Sequence, residues 1–131
     1  MGYAMAANVR MKIPSESTLY INDINTSACE RFKSEYASYG PIEIVSTARE
    51  AAENAQVLFS IVPGGADVKK VFLDSTTGVI AARKNGERIL LECSTIDVET
   101  TKSVGKTLLE HGSGTYIDTP VSVRAHHHPP A

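Results

Sequence analysis

Four short stretches hold the residues best placed for chemistry: Asp23, Val62-Pro63-Gly64-Gly65, Ser94-Thr95 and Asp118. Each follows directly on a β-prone, largely apolar run. An aspartate just past a strand can accept hydrogen bonds from paired ribose hydroxyls, and its charge repels a phosphate at the 2′ position. Such an acid stands roughly 20 residues after a glycine turn that approaches a pyrophosphate. Counting back 21 residues from Asp23 reaches Gly2, at the head of the small-residue run Gly-Tyr-Ala-Met-Ala-Ala. Gly2 thus stands where the third glycine of a G-x-G-x-x-G turn would stand, with the earlier part outside this sequence. Taken alone, Asp23 is more often a turn aspartate with no ligand.

Other candidate motifs fail on spacing. Gly105-Lys106-Thr107 imitates the end of a phosphate-binding loop, but that loop needs glycine at position 100, which is Thr. His126-His127-His128 supplies imidazoles without a fixed fourth ligand, so no metal site is expected. Gly112-Ser113-Gly114 lacks the G-x-S-x-G spacing of a nucleophile elbow. Asn25-Thr26-Ser27 fits a glycosylation sequon, which matters only in a secreted protein.

The elements that position these residues alternate along the chain. Residues 2–12 place Met5, Ala6 and Val9 on one helical face. Ser17–Asn22 is β-prone and leads into Asp23. Ser27-Ala-Cys-Glu30 has capping-box spacing and predicts a helix carrying Cys29, Phe32 and Tyr36, ended by Gly40-Pro41. Ile42–Val45 is a short strand, and Thr47-Ala-Arg-Glu50 is a second capping box, opening a helix that closes near Asn54. Gln56–Val62 and Arg88–Cys93 read as continuously buried strands. Between them a helix over 66–73 presents Val68, Val71 and Phe72, and Asn85-Gly86 marks a turn. A helix from Asp97 to His111 ends at Gly112, and Thr115–Asp118 is the last strand. Strands that alternate with helices predict a parallel sheet covered on both faces. Its ligand edge lies at the strands' carboxyl ends. All four chemistry-bearing stretches fall on that edge.

Composition narrows the function classes. The chain has 131 residues, room for one domain, and 13 Lys+Arg against 15 Asp+Glu give a net charge of −2. That balance argues against a nucleic-acid partner. With 42% hydrophobic and 21% charged residues the chain is neither disordered nor membrane-like in composition, so no membrane partner is expected. No secretory signal is evident at the amino end. Cys29 and Cys93 match no disulfide or metal spacing, which points to reduced thiols in an intracellular protein, cytoplasmic or mitochondrial.

Met1-Gly-Tyr-Ala-Met-Ala-Ala-Asn8 resembles the end of the G-x-G-x-M-G-x-x-M-A-x-N fingerprint of the β-hydroxyacid dehydrogenases, the family of 3-hydroxyisobutyrate and 6-phosphogluconate dehydrogenases. Three more stretches agree in order and spacing. Ser60-Ile-Val-Pro-Gly-Gly65 resembles the loop passing under the cofactor. Glu92-Cys-Ser-Thr-Ile-Asp97 resembles the segment near the nicotinamide, and Asp118-Thr-Pro-Val-Ser122 the start of the D-x-P-V-S-G-G substrate motif. The resemblance covers residues 1–122, implied to be one NAD(P)-binding domain, with residues 123–131 a tail unlike the family. It implies an α/β fold: a Rossmann-like doubly wound parallel sheet, incomplete because the first strand is missing.

The resemblance also implies roles. Gly2 would allow close packing beside the pyrophosphate, Val62 and Pro63 would wall the cofactor, and Thr95 would contact the nicotinamide side. Ser122 would contact the substrate carboxylate. For Thr95 an ordinary helix-start hydroxyl is the rival reading, and for Ser122 a tail residue. The family's 6-phosphogluconate branch usually carries Asn-Arg-Thr where this chain has Asn22-Asp23-Ile24-Asn25. An acid without an arginine favours NAD, with NADP the alternative, and places the match nearer 3-hydroxyisobutyrate dehydrogenase. The implied partner is a short hydroxy acid or semialdehyde, with self-association left open. A non-catalytic cofactor-binding or interaction module is the competing class. Two departures stand out: Val123-Arg124 replaces the expected Gly-Gly, and the family's catalytic lysine is not in this chain. A truncated dehydrogenase is therefore expected, inactive alone and, without the first strand, poorly folded, with weak NAD binding or none.

Overall fold

The computed structural model describes residues 2–120. Helices and strands alternate as α1 (Gly2–Lys12), β1 (Leu19–Ile21), α2 (Thr26–Tyr36), β2 (Ile42–Ile44), α3 (Ala48–Asn54), β3 (Val57–Ser60), α4 (Gly65–Leu73), β4 (Ile89–Glu92), α5 (Val98–His111) and β5 (Thr115–Asp118). Short 3₁₀ turns occupy Ala37–Tyr39 and Val79–Ala81.

Local side-chain chemistry sets most helix starts. The expected Ser27 box does not open α2. Asn25, in extended backbone, turns its side-chain oxygen to the Ala28 amide at 3.0 Å, so the helix begins at Thr26. At α3, Thr47 Oγ1 accepts the Glu50 amide at 3.1 Å as expected, while Glu50 Oε1 accepts from Ser46 N at 3.0 Å. Asp97 caps α5 twice, accepting from Thr100 N at 2.9 Å and Thr100 Oγ1 at 2.7 Å. Gly112 closes that helix at φ +79°, a left-handed conformation glycine adopts without strain.

All strand pairs are parallel, but they form two sheets, β2–β1 and β3–β4–β5. Ala7 of α1 and Phe32 of α2 pack with Ile42, Leu19 and Ile21 over the first. Val68 and Phe72 of α4, Val104 and Leu108 of α5, and Ala52 of α3 pack with Leu90 over the second.

The expectation of strands buried on both faces needs correction. Val57 and Phe59 are 43% and 51% exposed, and Ile89 and Ile117 are close behind. Helices α3, α4 and α5 pack with Leu58, Leu90 and Tyr116, so the alternate residues of each strand turn away from that core. An unbroken apolar run marks apolar character on both faces, but burial requires an element over each. β3 and β4 are also shorter than Gln56–Val62 and Arg88–Cys93 suggest.

Two fully buried arginines hold the connections. Arg10 donates to Ser17 O at 2.6 Å, Pro41 O at 2.8 Å and Pro14 O at 2.7 Å. Arg88 donates to Ala52 O, Ser113 O and Arg83 O. Gly40 sits against the first of these: at φ +147°, a Cβ there would lie 2.6 Å from the Arg10 guanidinium.

Candidate functional site

The carboxyl ends of the parallel strands collect the residues singled out from sequence. β1 ends at Ile21 and leads into Asn22 and Asp23, and the Asn22 side chain donates to Val45 O at 2.9 Å, pinning this turn to the end of β2. Asp23 is exposed, and its Oδ1 accepts the Asn25 amide at 2.8 Å. That bond orients the residue that caps α2, so Asp23 is both a turn aspartate and an accessible carboxylate at the sheet edge. The turn bond thus leaves the carboxylate open to solvent. Burial first, then the charge of Asp23, pushes the Cys29 thiol above its ordinary range, which keeps it protonated.

Gly2 opens α1, and a Cβ built on it would come within 2.9 Å of Ile61 Cγ2. The first turn of α1 thus lies against the segment that follows β3, an approach that any side chain would obstruct. One residue on, Val62 donates its amide to Ser94 Oγ at 2.7 Å. Ser94 is buried, whereas its neighbour Thr95 is exposed. Pro63 is exposed at the turn into α4. Asp97, not Thr95, caps α5, which removes the helix-start reading of Thr95.

Contacts therefore link three of the expected groups: Gly2 lies against Ile61, the neighbour of Val62, and Val62 bonds to Ser94, the neighbour of Thr95. Asp23 stands at the carboxyl end of β1, in the other sheet, and makes no hydrogen bond to them among the described residues. Ser122 lies outside the described residues. Glu92 and Ser60, both buried at the ends of their strands, were not singled out from sequence. One signal was available for Glu92: it is the acid within the otherwise apolar run Ile-Leu-Leu-Glu-Cys. No group of three or more metal-ligating side chains occurs among the described residues, and no helix there is long and apolar enough to cross a membrane.

The arrangement suits a dinucleotide in two respects visible here. An exposed carboxylate stands at the end of β1, and the head of α1 packs against Ile61 too closely to admit a Cβ on Gly2. Asp23 would hold the ribose, Gly2 would lie beside the pyrophosphate, and Val62, Pro63 and Thr95 would flank the group along the edge.

Residues 1–125 match the family described as the NAD binding domain of 6-phosphogluconate dehydrogenase. The chain is 34% identical over 76 residues to a 3-hydroxyisobutyrate dehydrogenase of Pseudomonas aeruginosa, covering 58% of this chain and 24% of that one. A Dictyostelium discoideum protein named "probable 3-hydroxyisobutyrate dehydrogenase, mitochondrial" is 30% identical over 122 residues, covering 93% of this chain and 35% of its own length. Among solved structures, Mycobacterium tuberculosis 3-hydroxyisobutyrate dehydrogenase with L-serine superposes at a TM-score of 0.70 and 27% identity, over 93% of this chain and 37% of that one. The chain therefore spans well under half the length of these relatives.

Proposed function

Because the chain belongs to the family of the NAD binding domain of 6-phosphogluconate dehydrogenase, we propose that it forms the cofactor-binding part of a 3-hydroxyisobutyrate dehydrogenase-like oxidoreductase and prefers NAD to NADP. The bound group would supply hydride exchange with the carbinol carbon of a short hydroxy acid. The chain's own residues bind and orient it. Asp23 pairs with the ribose hydroxyls, Gly2 permits close approach of the α1 terminus, and Val62, Pro63 and Thr95 flank the nicotinamide half. Ser122 contacts the substrate carboxylate. Proton transfer to or from the substrate oxygen requires a positioned acid or base. The residues assigned above serve cofactor binding.

The observation that carries the cofactor preference is Asp23: an exposed carboxylate at the end of β1, within Asn-Asp-Ile-Asn and with no adjacent arginine. A 2′-phosphate beside it would meet a like charge in solvent, a repulsion worth roughly a tenfold difference in affinity. Titration of NADH and NADPH into the chain tests this. NADH is expected to bind this chain weakly, yet roughly tenfold more tightly than NADPH, and Asp23→Ser combined with Ile24→Arg to narrow or reverse the ratio. Equal affinities in the unaltered protein refute the preference.

A further inference from the structure

Glu92, the last residue of β4, is fully buried in a strand whose other residues are Ile89, Leu90 and Leu91. Leucine at this place would escape the desolvation a carboxyl group suffers there, so stability alone does not account for the acid. In register it stands between Ser60 of β3 and Asp118 of β5. One of its oxygens accepts the amide of Ser94, two residues on. Its Oε2 and the neighbouring Ser60 Oγ are buried and have no hydrogen-bond partner among the described residues.

The contacts of Ser94 give the acid a purpose. The β3–β4 ladder continues one step past the strands, where Cys93 N donates to Ser60 O at 2.7 Å. Beyond that point the connection between the two segments passes to side chains: Ser94 Oγ, held in a residue only 3% exposed, accepts the Val62 amide. The relay runs from the Glu92 carboxyl to the Ser94 amide, and from the Ser94 hydroxyl to the Val62 amide. Val62 continues into Pro63 and Ser94 into Thr95, so the relay ties the two loops of the proposed cofactor edge at their roots.

We propose that Glu92 is a positioning residue: by fixing the Ser94 amide it holds the Ser94 hydroxyl on Val62, and so sets the spacing of Val62-Pro63 and Thr95 along the dinucleotide. The role toward cofactor rests on the reading in the preceding section, whereas the relay rests on the hydrogen bonds alone. Two readouts on the full chain separate them: amide hydrogen exchange at Val62, and NADH titration.

In Glu92→Leu, Val62 exchange is expected to rise about tenfold, the scale of one lost hydrogen bond, although residue 92 does not bond to Val62. Exchange at Leu90, inside β4, stays as in the unaltered chain. NADH affinity falls by about the same factor, and Glu92→Gln, which keeps an acceptor oxygen, restores both. Should Glu92→Leu fail to fold, Ser94→Ala is expected to speed Val62 exchange alike while leaving the Ser94 amide protected. Unchanged Val62 exchange in these variants overturns the relay even where NADH binds. Faster Val62 exchange with unaltered NADH affinity overturns the positioning role. No NADH binding by the unaltered chain overturns the cofactor reading, and the functional half of this proposal with it.

Discussion

Replacing Arg88 by Met should be among the most damaging single changes to the scaffold. The guanidinium is 2% exposed and donates three hydrogen bonds, to Ser113 O at 2.8 Å, Arg83 O at 3.0 Å and Ala52 O at 3.2 Å. These carbonyls come from three places: the turn after α5, the segment after the 3₁₀ turn, and α3. Burial lowers the Arg88 pKa from its ordinary value, Glu53 opposes that shift and Arg83 adds to it, yet an arginine stays charged in any protein setting. Methionine matches much of the stem but donates nothing, leaving three carbonyls without their donor. Each bond to a charged donor contributes about 1.5–3 kcal/mol, and relief of the buried charge offsets part of the sum. A net loss of about 3–5 kcal/mol follows, a large share of the roughly 5–15 kcal/mol a domain has. Urea unfolding followed by circular dichroism measures it. Arg49→Ala serves as the control, because the Arg49–Glu53 pair at 3.5 Å is surface-exposed and contributes at most about 0.5 kcal/mol. Arg88→Met within about 1 kcal/mol of the unaltered chain would refute the view that this residue clamps three segments.

Gly114→Ala should be strongly destabilising, because at φ +139° its Cβ would lie 2.5 Å from Arg88 O, whereas Gly86→Ala meets open space and should be neutral to slightly stabilising; thermal melts compare the two. Asp97→Ala should lower the urea midpoint at pH 7 by removing the α5 cap. The Thr100 hydroxyl, then its amide, holds the Asp97 carboxyl below the usual range, so the cap's stabilisation is full above the unfolded value of about 4 and fades as pH falls through the lowered native value. The gap between the two proteins should therefore close in acid, and a constant gap from pH 7 down to pH 2 would count against this cause. Phe59→Ser, on the exposed apolar face of β3, should leave the melting temperature nearly unchanged and reduce concentration-dependent self-association in sedimentation velocity.

Much of the fold was legible because its signals are local. The α3 and α5 starts follow from Thr47 and Asp97, whose side chains reach an amide three residues on, and Gly112 ends α5 through its backbone freedom. At α2 the capping-box spacing points to Ser27, whereas Asn25, in extended backbone, takes the Ala28 amide. Burial was less legible. Val57, Phe59 and Ile89 are as apolar as Leu58 and Leu90, and their exposure depends on which face the helices cover. Arg10 and Arg88 look like surface residues in sequence, since half of the carbonyls they bind come from distant positions. At the proposed site, spacing singled out Asp23 and Gly2, and resemblance Thr95. The Glu92–Ser94–Val62 relay was not, because it forms only when β3 and β4 pair in register.

The central claim is that the carboxyl edge of these strands is a dinucleotide site. Titrating NADH into ¹⁵N-labelled chain and following amide shifts tests it most directly. The account predicts that shifts concentrate at Tyr3, Ile24 and Asn25, Val62, and Ser94 and Thr95, around the edge built by Gly2, Asp23, Pro63 and Ser94. Shifts confined instead to the shallow cavity lined by Ser15, Ser38, Tyr39 and Gly40, at the amino end of β2, would contradict it, as would no shift at saturating NADH.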